Sequence, residues 1–341
     1  MSEISVFSDC PATGIGSMPG GDAREAAKTV AGSFGDGGGM PYLAELPARG
    51  PGADMIGRTI GLLSELYGHV EPSGWRISDR PGRDTRRARS WLGEDLDALE
   101  EFTQGYEGPL KVQAVGPWTL AAALERRGGE AFLGDPGACR DLADSLAEGL
   151  RGHLAEVRRR MPGAHLVLQL DEPSLTAVLR GRVRTASGYR TYRAVDRQVV
   201  EATLREVLAA AGEAATLVHT CAPEVPFALL RRAGADGISF DLSLLTEREE
   251  EAVGEAVEGG TRMFFGVVPG TDPASGRLSD PGGSVMGVRT LWRRLGLNPG
   301  TLTESVTVTP SCGLAGASPA YARAALAHCA RAARSLADNP E

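Results

Sequence analysis

The sequence predicts an α/β protein built as a single (β/α)8 barrel spanning residues 1–341. Three observations carry this expectation. Eight short apolar runs with strand character recur along the chain, most followed by a helical pattern. Strands alternating with helices pair in parallel, with helices covering both faces of the sheet. The length, 341 residues at 42% hydrophobic, is ample for one large core and suits eight such units. The competing architecture, a doubly wound open sheet, normally opens with a Gly-rich phosphate turn. Gly14-Ile-Gly16 is too short a match for one.

Taken in order, the first run is Thr13-Gly-Ile-Gly-Ser-Met-Pro19, followed by a helix over about 22–33. Pro41-Tyr-Leu-Ala-Glu45 is the second, with a helix near 54–67. Residues 72–92 are rich in Arg, Gly and Asp and read as a polar insertion, after which a helix resumes over 95–102. The third run is Leu110 to Gly116, and Pro117 suits the first position of the helix that follows. A long amphipathic helix over 136–161 precedes the fourth run, His165 to Asp171. Residues 180–193 form a second polar insertion, before a helix over 196–211. The fifth run is Ala215 to Cys221, with a helix over 224–233, and the sixth is Gly237 to Asp241, with a Glu-rich helix over 246–258. Arg262 to Val268 is the seventh, with a loop and then a helix over 284–295. Ser305 to Thr309 is the eighth, and the last helix opens at Ser318-Pro319, a cap followed by a helix-compatible proline. No internal repeat stands out, and Gly37–Gly39 is the one low-complexity spot.

Composition narrows the function. A net charge of −8 argues against a nucleic-acid or anionic-membrane partner, because both need a basic surface. The basic clusters at 83–89 and 158–160 read as solvated faces. The stretch Met1 to Asp9 has neither a basic start nor a long apolar core, so no signal peptide is expected. No apolar run is long enough to span a membrane. Five widely spaced cysteines, an odd number, suit reduced thiols in the cytoplasm.

Catalytic groups of such barrels sit at the carboxyl ends of strands. Those ends here offer Ser17, Glu45, Gln113, Asp171, Glu172, His219, Cys221, Asp241 and Cys312. On a strand, side chains two apart share a face, so His219 and Cys221 point the same way. His-x-Cys alone is weak, and a strand-end His beside a buried Cys is the commoner meaning. Asp241 and Cys312, at two later strand ends, change that balance. An imidazole, two thiolates and a carboxylate suit zinc better than magnesium or calcium. Cys10, Cys139 and Cys329 read as structural, and His69, His153 and His165 have no evident partner. Asp171-Glu-Pro173 is equally a helix cap or, beside a metal, a grip for a substrate ammonium. Glu45 is a similar carboxylate. Backbone N–H groups around Ser17 could receive a carboxylate, or the glycines there may serve only close packing. Trp118 more often means core than pocket. Neither a Gly-x-Ser-x-Gly elbow nor a Walker loop is present.

Ile15-Gly-Ser-Met-Pro19, Leu170-Asp-Glu-Pro173, His219-Thr-Cys221, Ile238-Ser-Phe-Asp241 and Pro310-Ser-Cys-Gly313 occur in one order. Together they resemble the C-terminal catalytic domain of cobalamin-independent methionine synthases. That domain belongs to a barrel superfamily shared with uroporphyrinogen decarboxylase and the coenzyme M methyltransferases. The resemblance runs over about 12–335. It implies a Zn2+ held by His219, Cys221, Asp241 and Cys312, with Asp241 where the family commonly has Glu. It also implies a carboxylate cradle at Ile15, Gly16 and Ser17. Asp171 matches the acid that grips the homocysteine amine, and Glu45 its looser-matching second partner. Departures matter too. The length leaves room for one barrel where the full-length enzyme has two. The family's folate-side Trp falls near Ala123 and a glutamate falls on Ala177. A proposed proton-donor histidine is replaced within Gly266–Thr271.

The expectation is therefore a zinc-dependent methyltransferase acting on the thiol of homocysteine and forming methionine. The donor is a methylcorrinoid, free or on a corrinoid protein, or methyltetrahydrofolate. The folate-side losses tilt the expectation to the corrinoid. Two alternatives stand beside it. One is a uroporphyrinogen decarboxylase-like enzyme, which would need basic residues and no zinc ligands. The other is a non-catalytic, zinc-containing amino-acid-binding barrel.

Overall fold

Apolar runs with parallel pairing form the centre of the molecule. The computed structural model describes residues 6–7, 10–35 and 38–340. Most of the stretch Met1–Asp9, and Gly37 of the Gly37–Gly39 run, lie outside the described residues. In chain order the elements are α1 (Ala23–Phe34), α2 (Met55–Leu62), β1 (Tyr67–Glu71), β2 (Gly74–Ser78) and α3 (Arg83–Phe102). Then come β3 (Pro109–Val115), α4 (Pro117–Ala123), β4 (Leu124–Glu125), α5 (Pro136–Arg160), β5 (His165–Asp171), α6 (Leu175–Arg180) and α7 (Arg197–Leu208). The remainder are β6 (Ala215–Thr220), α8 (Phe227–Ala233), β7 (Gly237–Asp241), α9 (Glu247–Glu258), β8 (Arg262–Val268), α10 (Pro281–Leu295), α11 (Leu302–Ser305), β9 (Val306–Pro310) and α12 (Pro319–Asp338).

Six strands make one parallel sheet in the order β3-β5-β6-β7-β8-β9, curled into a half-barrel. These are the third to eighth expected strands, each within one residue of its expected end. The first and second differ. Residues 12–17 and 40–45 are extended segments joined by isolated parallel bridges and are not regular strands. Ala12 bridges Val308 of β9, Thr13 bridges Met40, Ser17 bridges Glu45, and Tyr42 bridges Lys111 of β3. The physical reason lies in Gly14, Gly16 and Pro41, which supply little side-chain packing and, at proline, no ladder donor.

Residues 72–92 are not simply an insertion loop. They hold most of the β1–β2 hairpin turn and β2 itself, and the first half of α3. The Arg-rich helix α3 buries Thr85, Ala88, Leu92, Leu96 and Leu99, a narrow apolar stripe at helical spacing. Residues 181–193 do lie mostly exposed, with one bridge between Arg184 and Thr191.

Register assigns the faces. Odd-numbered residues of β3, β5, β6 and β7 share one face, paired across strands with even residues of β8 and odd residues of β9. On that inner face Val167, Leu217 and Phe264 meet Phe7, Cys10 and Met40 in a separate apolar plug. Phe7 and Phe264 stack edge to face at 5.4 Å. Arg262 seals the same end, donating to Thr307 Oγ1 at 2.8 Å and to Val306 O at 2.8 Å. The opposite faces of the strands pack under the helices in the main core. Above the plug, the inner face turns polar.

Candidate metal centre

His219, on the last turn of β6, is 3% exposed. Its register partner is Ser239 of β7, whose Oγ lies 2.9 Å from His219 Nδ1. That bond fixes the ring and leaves Nε2, which is buried and without a hydrogen-bond partner among the described residues. Cys221 follows immediately after β6. Cys312 arrives from the other end of the sheet, just past β9. The Cys221 and Cys312 Sγ atoms are 3.2 Å apart, far beyond a disulfide bond, and both cysteines are free. Ligand atoms of His219, Cys221 and Cys312 all lie within 4.8 Å of one another.

The two thiols share a proton. The contact with Cys221, with the His219 imidazole close by, pulls Cys312 well below the ordinary thiol range, and the same contact pushes Cys221 up. The donor set fits zinc: one orphaned imidazole nitrogen and two soft sulfurs, gathered at one point. Three protein ligands also leave a coordination position open, as catalytic zinc sites do.

Asp241, the expected fourth ligand, stands outside this group. It ends β7, and its Oδ1 accepts from Ser243 N at 2.9 Å and Ser243 Oγ at 2.7 Å. There it caps a short 3-10 turn at 242–244.

The expected carboxylate and amine groups lie beside the sulfur cluster. Ser17 and Glu45 are adjacent through paired backbone bonds, Met18 N to Glu45 O at 2.8 Å and Glu45 N to Gly16 O at 3.1 Å. Leu314 N donates to Ser17 O at 2.8 Å, tying the Cys312 loop to the Ile15–Ser17 segment. Ile15 O accepts two buried donors, Lys111 Nζ at 2.6 Å and Gln169 Nε2 at 2.9 Å. Gln169 Nε2 also donates to Asp171 Oδ1 at 2.7 Å, and Lys111 Nζ to Gln169 Oε1 at 2.7 Å. Asp171 in turn pairs in register with His219. Ile15, Gly16, Ser17, Glu45 and Asp171 thus form one polar cluster that adjoins the sulfurs.

Burial dominates the electrostatics of this cluster. It raises Glu45 to about 7 against the pull of Arg58, with Asp171 adding to the rise. It raises Asp171 to about 6, against His219 and Lys111. Burial lowers Lys111 to about 8, while Asp171 and Glu45 resist that fall. Two acids and one cation share a desolvated space, with Arg58 and His219 as the first charge partners of Glu45 and Asp171 respectively.

Asp171 and Glu172 divide the two meanings that their motif allowed. Asp171 faces inward. Glu172, wholly buried on the other face, accepts from Trp118 N at 2.9 Å and from Thr119 N and Oγ1 at 2.8 and 2.7 Å, capping α4. Burial raises it to about 7 in spite of those donors. Gly116 must be glycine because a Cβ would sit 2.4 Å from Glu172 Oε1. Trp118 is core, its Nε1 donating to Val200 O at 3.2 Å. Lys111 and Gln169 escaped the sequence reading. Their signal was a polar residue on alternate positions of an otherwise apolar parallel strand.

The comparisons agree with this arrangement. No curated protein matches the chain. Among solved structures, a B12-independent methionine synthase from Shewanella sp. W3-18-1, in complex with selenomethionine, superposes with a TM-score of 0.61. It is 13% identical and covers 96% of this chain and 98% of its own, so the likeness is one of fold. A psychrophilic family 10 endo-β-1,4-xylanase (TM-score 0.33, 12% identity, 64% of this chain and 72% of its own) is more distant. So is an intracellular xylanase from Thermoanaerobacterium saccharolyticum JW/SL-YS485 (0.36, 10%, 92% and 90%). A family model described as cobalamin-independent synthase, catalytic domain, matches residues 10–335. The chain belongs to the cobalamin-independent methionine synthase family, through its catalytic domain.

Proposed function

We propose that this protein is a zinc-dependent methyltransferase that methylates the thiol of homocysteine, giving methionine. The observation that carries the reading is the convergence of His219, Cys221 and Cys312 donor atoms within 4.8 Å, next to the buried acids Glu45 and Asp171. The two segments bridged at 12–17 and 40–45 would complete an eight-stave barrel around them. Zinc bound there would lower the pKa of a substrate thiol, making a nucleophilic thiolate available near neutral pH.

The chain's own residues do the rest. Glu45 and Asp171 hold the substrate ammonium, and the Ile15–Ser17 backbone receives its carboxylate. Lys111 and Gln169 fix Ile15 O, and so fix the cradle. His219 keeps its orientation through Ser239. Asp241 is the proposed exchangeable fourth ligand. It would have to leave Ser243, and a carboxylate yields to substrate sulfur more readily than thiolates do. Placing substrate sulfur and the methyl group together removes much of the entropic barrier of a bimolecular transfer.

For the donor, the family's cobalamin-independent character overturns the tilt toward a methylcorrinoid and favours methyltetrahydrofolate. Reduced thiols at 221 and 312 suit the cytoplasm, and among the described residues no helix is long and apolar enough to cross a membrane. The test is methyl transfer to homocysteine from methyltetrahydrofolate and, separately, from methylcobalamin, with metal analysis of the purified chain. Methionine from the folate together with about one zinc per chain supports the reading. No methionine from either donor by zinc-loaded protein overturns it.

A further inference from the structure

Gln113 lies on the inner face of β3, 1% exposed, in register with Gln169. Its Nε2 donates to Leu43 O at 2.6 Å and to Glu45 Oε1 at 3.2 Å. Those two acceptors fix which way the amide points, because the opposite orientation would set oxygen against oxygen twice. The Oε1 atom is therefore left over. It is buried and has no hydrogen-bond partner among the described residues. Leaving such an acceptor unpaired is costly, so a donor is expected from whatever fills the site. Gly16 packs against this amide so closely that a Cβ there would come within 2.9 Å of Nε2. Gln113 is thus wedged between the carboxylate cradle and Glu45.

We propose that Gln113 is a specificity-determining residue, its Oε1 accepting the third N–H of the substrate's α-ammonium beside Glu45 and Asp171. The inference rests on the proposed function and deepens it. An amino-thiol acid carries three polar groups. Its carboxylate only accepts hydrogen bonds, and its thiol is directed to the metal. Its ammonium alone has N–H donors, three in number. Glu45, Asp171 and Gln113 supply three acceptors, one for each. Lys111 cannot play this part, since it is itself a cation already donating to Ile15 O and Gln169 Oε1. The site then selects a primary amine and rejects a thiol acid lacking one, because such a ligand brings no donor to Gln113 Oε1 and no cation to Glu45 and Asp171.

Calorimetric titration of zinc-loaded protein tests this, with homocysteine and its des-amino analogue 4-sulfanylbutanoate as the two ligands. In Gln113→Met, similar in size and lacking the acceptor, homocysteine should bind roughly tenfold more weakly or worse. The analogue should bind as it does to wild type, and zinc content should not change. Gln113→Glu, protonated at this buried position so that its O–H replaces Nε2 toward Leu43 O, restores the acceptor and should recover the preference for the amine. Equal weakening of both ligands makes Gln113 structural and overturns the proposal, as does unchanged homocysteine affinity in Gln113→Met. Should Gln113→Met lose the fold by circular dichroism, Gln113→Glu decides. Retained preference for homocysteine supports the proposal, and equal affinity for both ligands overturns it. Failure of wild type to bind homocysteine at all overturns the proposed function and takes this inference with it.

Discussion

Ser239→Ala tests how the metal site is built, through a residue that touches no metal. Ser239 is 1% exposed and its hydroxyl forms a 2.9 Å hydrogen bond with His219 Nδ1. The substitution deletes a single oxygen, so it barely changes packing. It frees the imidazole to rotate and leaves Nδ1 buried and unpaired, at a cost of about 1–3 kcal/mol. Losing such an outer partner typically weakens metal binding by roughly 10–100-fold, or about 1.4–2.7 kcal/mol. Competition for zinc against a chromophoric chelator reads the affinity directly. Urea unfolding of metal-free protein reads the stability term separately. Zinc affinity equal to wild type in Ser239→Ala would refute the role given to this bond. Cys312→Ser sets the upper limit for the comparison and should lose most of the metal without unfolding the chain.

Other outcomes follow from the same geometry. Lys111→Met removes the buried donor of Ile15 O and Gln169 Oε1 and should destabilise the fold by about 1–3 kcal/mol in chemical denaturation. Glu172→Ala strands three donors at the start of α4 and should cost about 3 kcal/mol or more, read the same way. Gly16→Ala pushes the Gln113 amide and should weaken homocysteine binding while changing the melting temperature little. His153, buried on α5, has its pKa lowered to about 3, first by burial and then by Arg58. A base depressed in the folded state contributes stability that is present above its unfolded value near 6.5 and lost as pH falls toward 3. Wild type should lose up to about 1.4 kcal/mol per pH unit in that window from this group, and His153→Phe should show a shallower loss. Parallel slopes for the two proteins would remove His153 from the account.

The strand positions and the meeting of His219, Cys221 and Cys312 were largely legible because both leave local marks. Val167, Leu217 and Phe264 sit in continuous apolar runs, the pattern that only a sheet covered on both faces allows. His219 and Cys221 are two apart, and strand geometry alone puts them on one face. What stayed hidden depends on partners far along the chain. Residues 12–17 and 40–45 look like strands by composition, yet their glycines and proline reduce them to isolated bridges. The front of α3 looks like a polar loop because it buries only Thr85, Ala88 and Leu92 among Arg- and Asp-rich positions. Asp241 appeared equivalent to the other ligands at a strand end, but Ser243, two residues on, offers its carboxylate a nearer use. Lys111 is a cation in the middle of a strand. Its purpose shows only once Ile15 and Gln169 are seen around it.

The Leu314–Ser17 hydrogen bond joins the loop of the later cysteine to a segment synthesised almost three hundred residues before it. Cys312 emerges 91 residues after Cys221, so a nascent chain carries half a sulfur pair for a long stretch of its synthesis. During that interval the imidazole and one thiol are all that an incoming ion can find. On the proposed function, loading waits until the final stave is seated, and a ribosome-stalled fragment ending before residue 306 should emerge free of zinc.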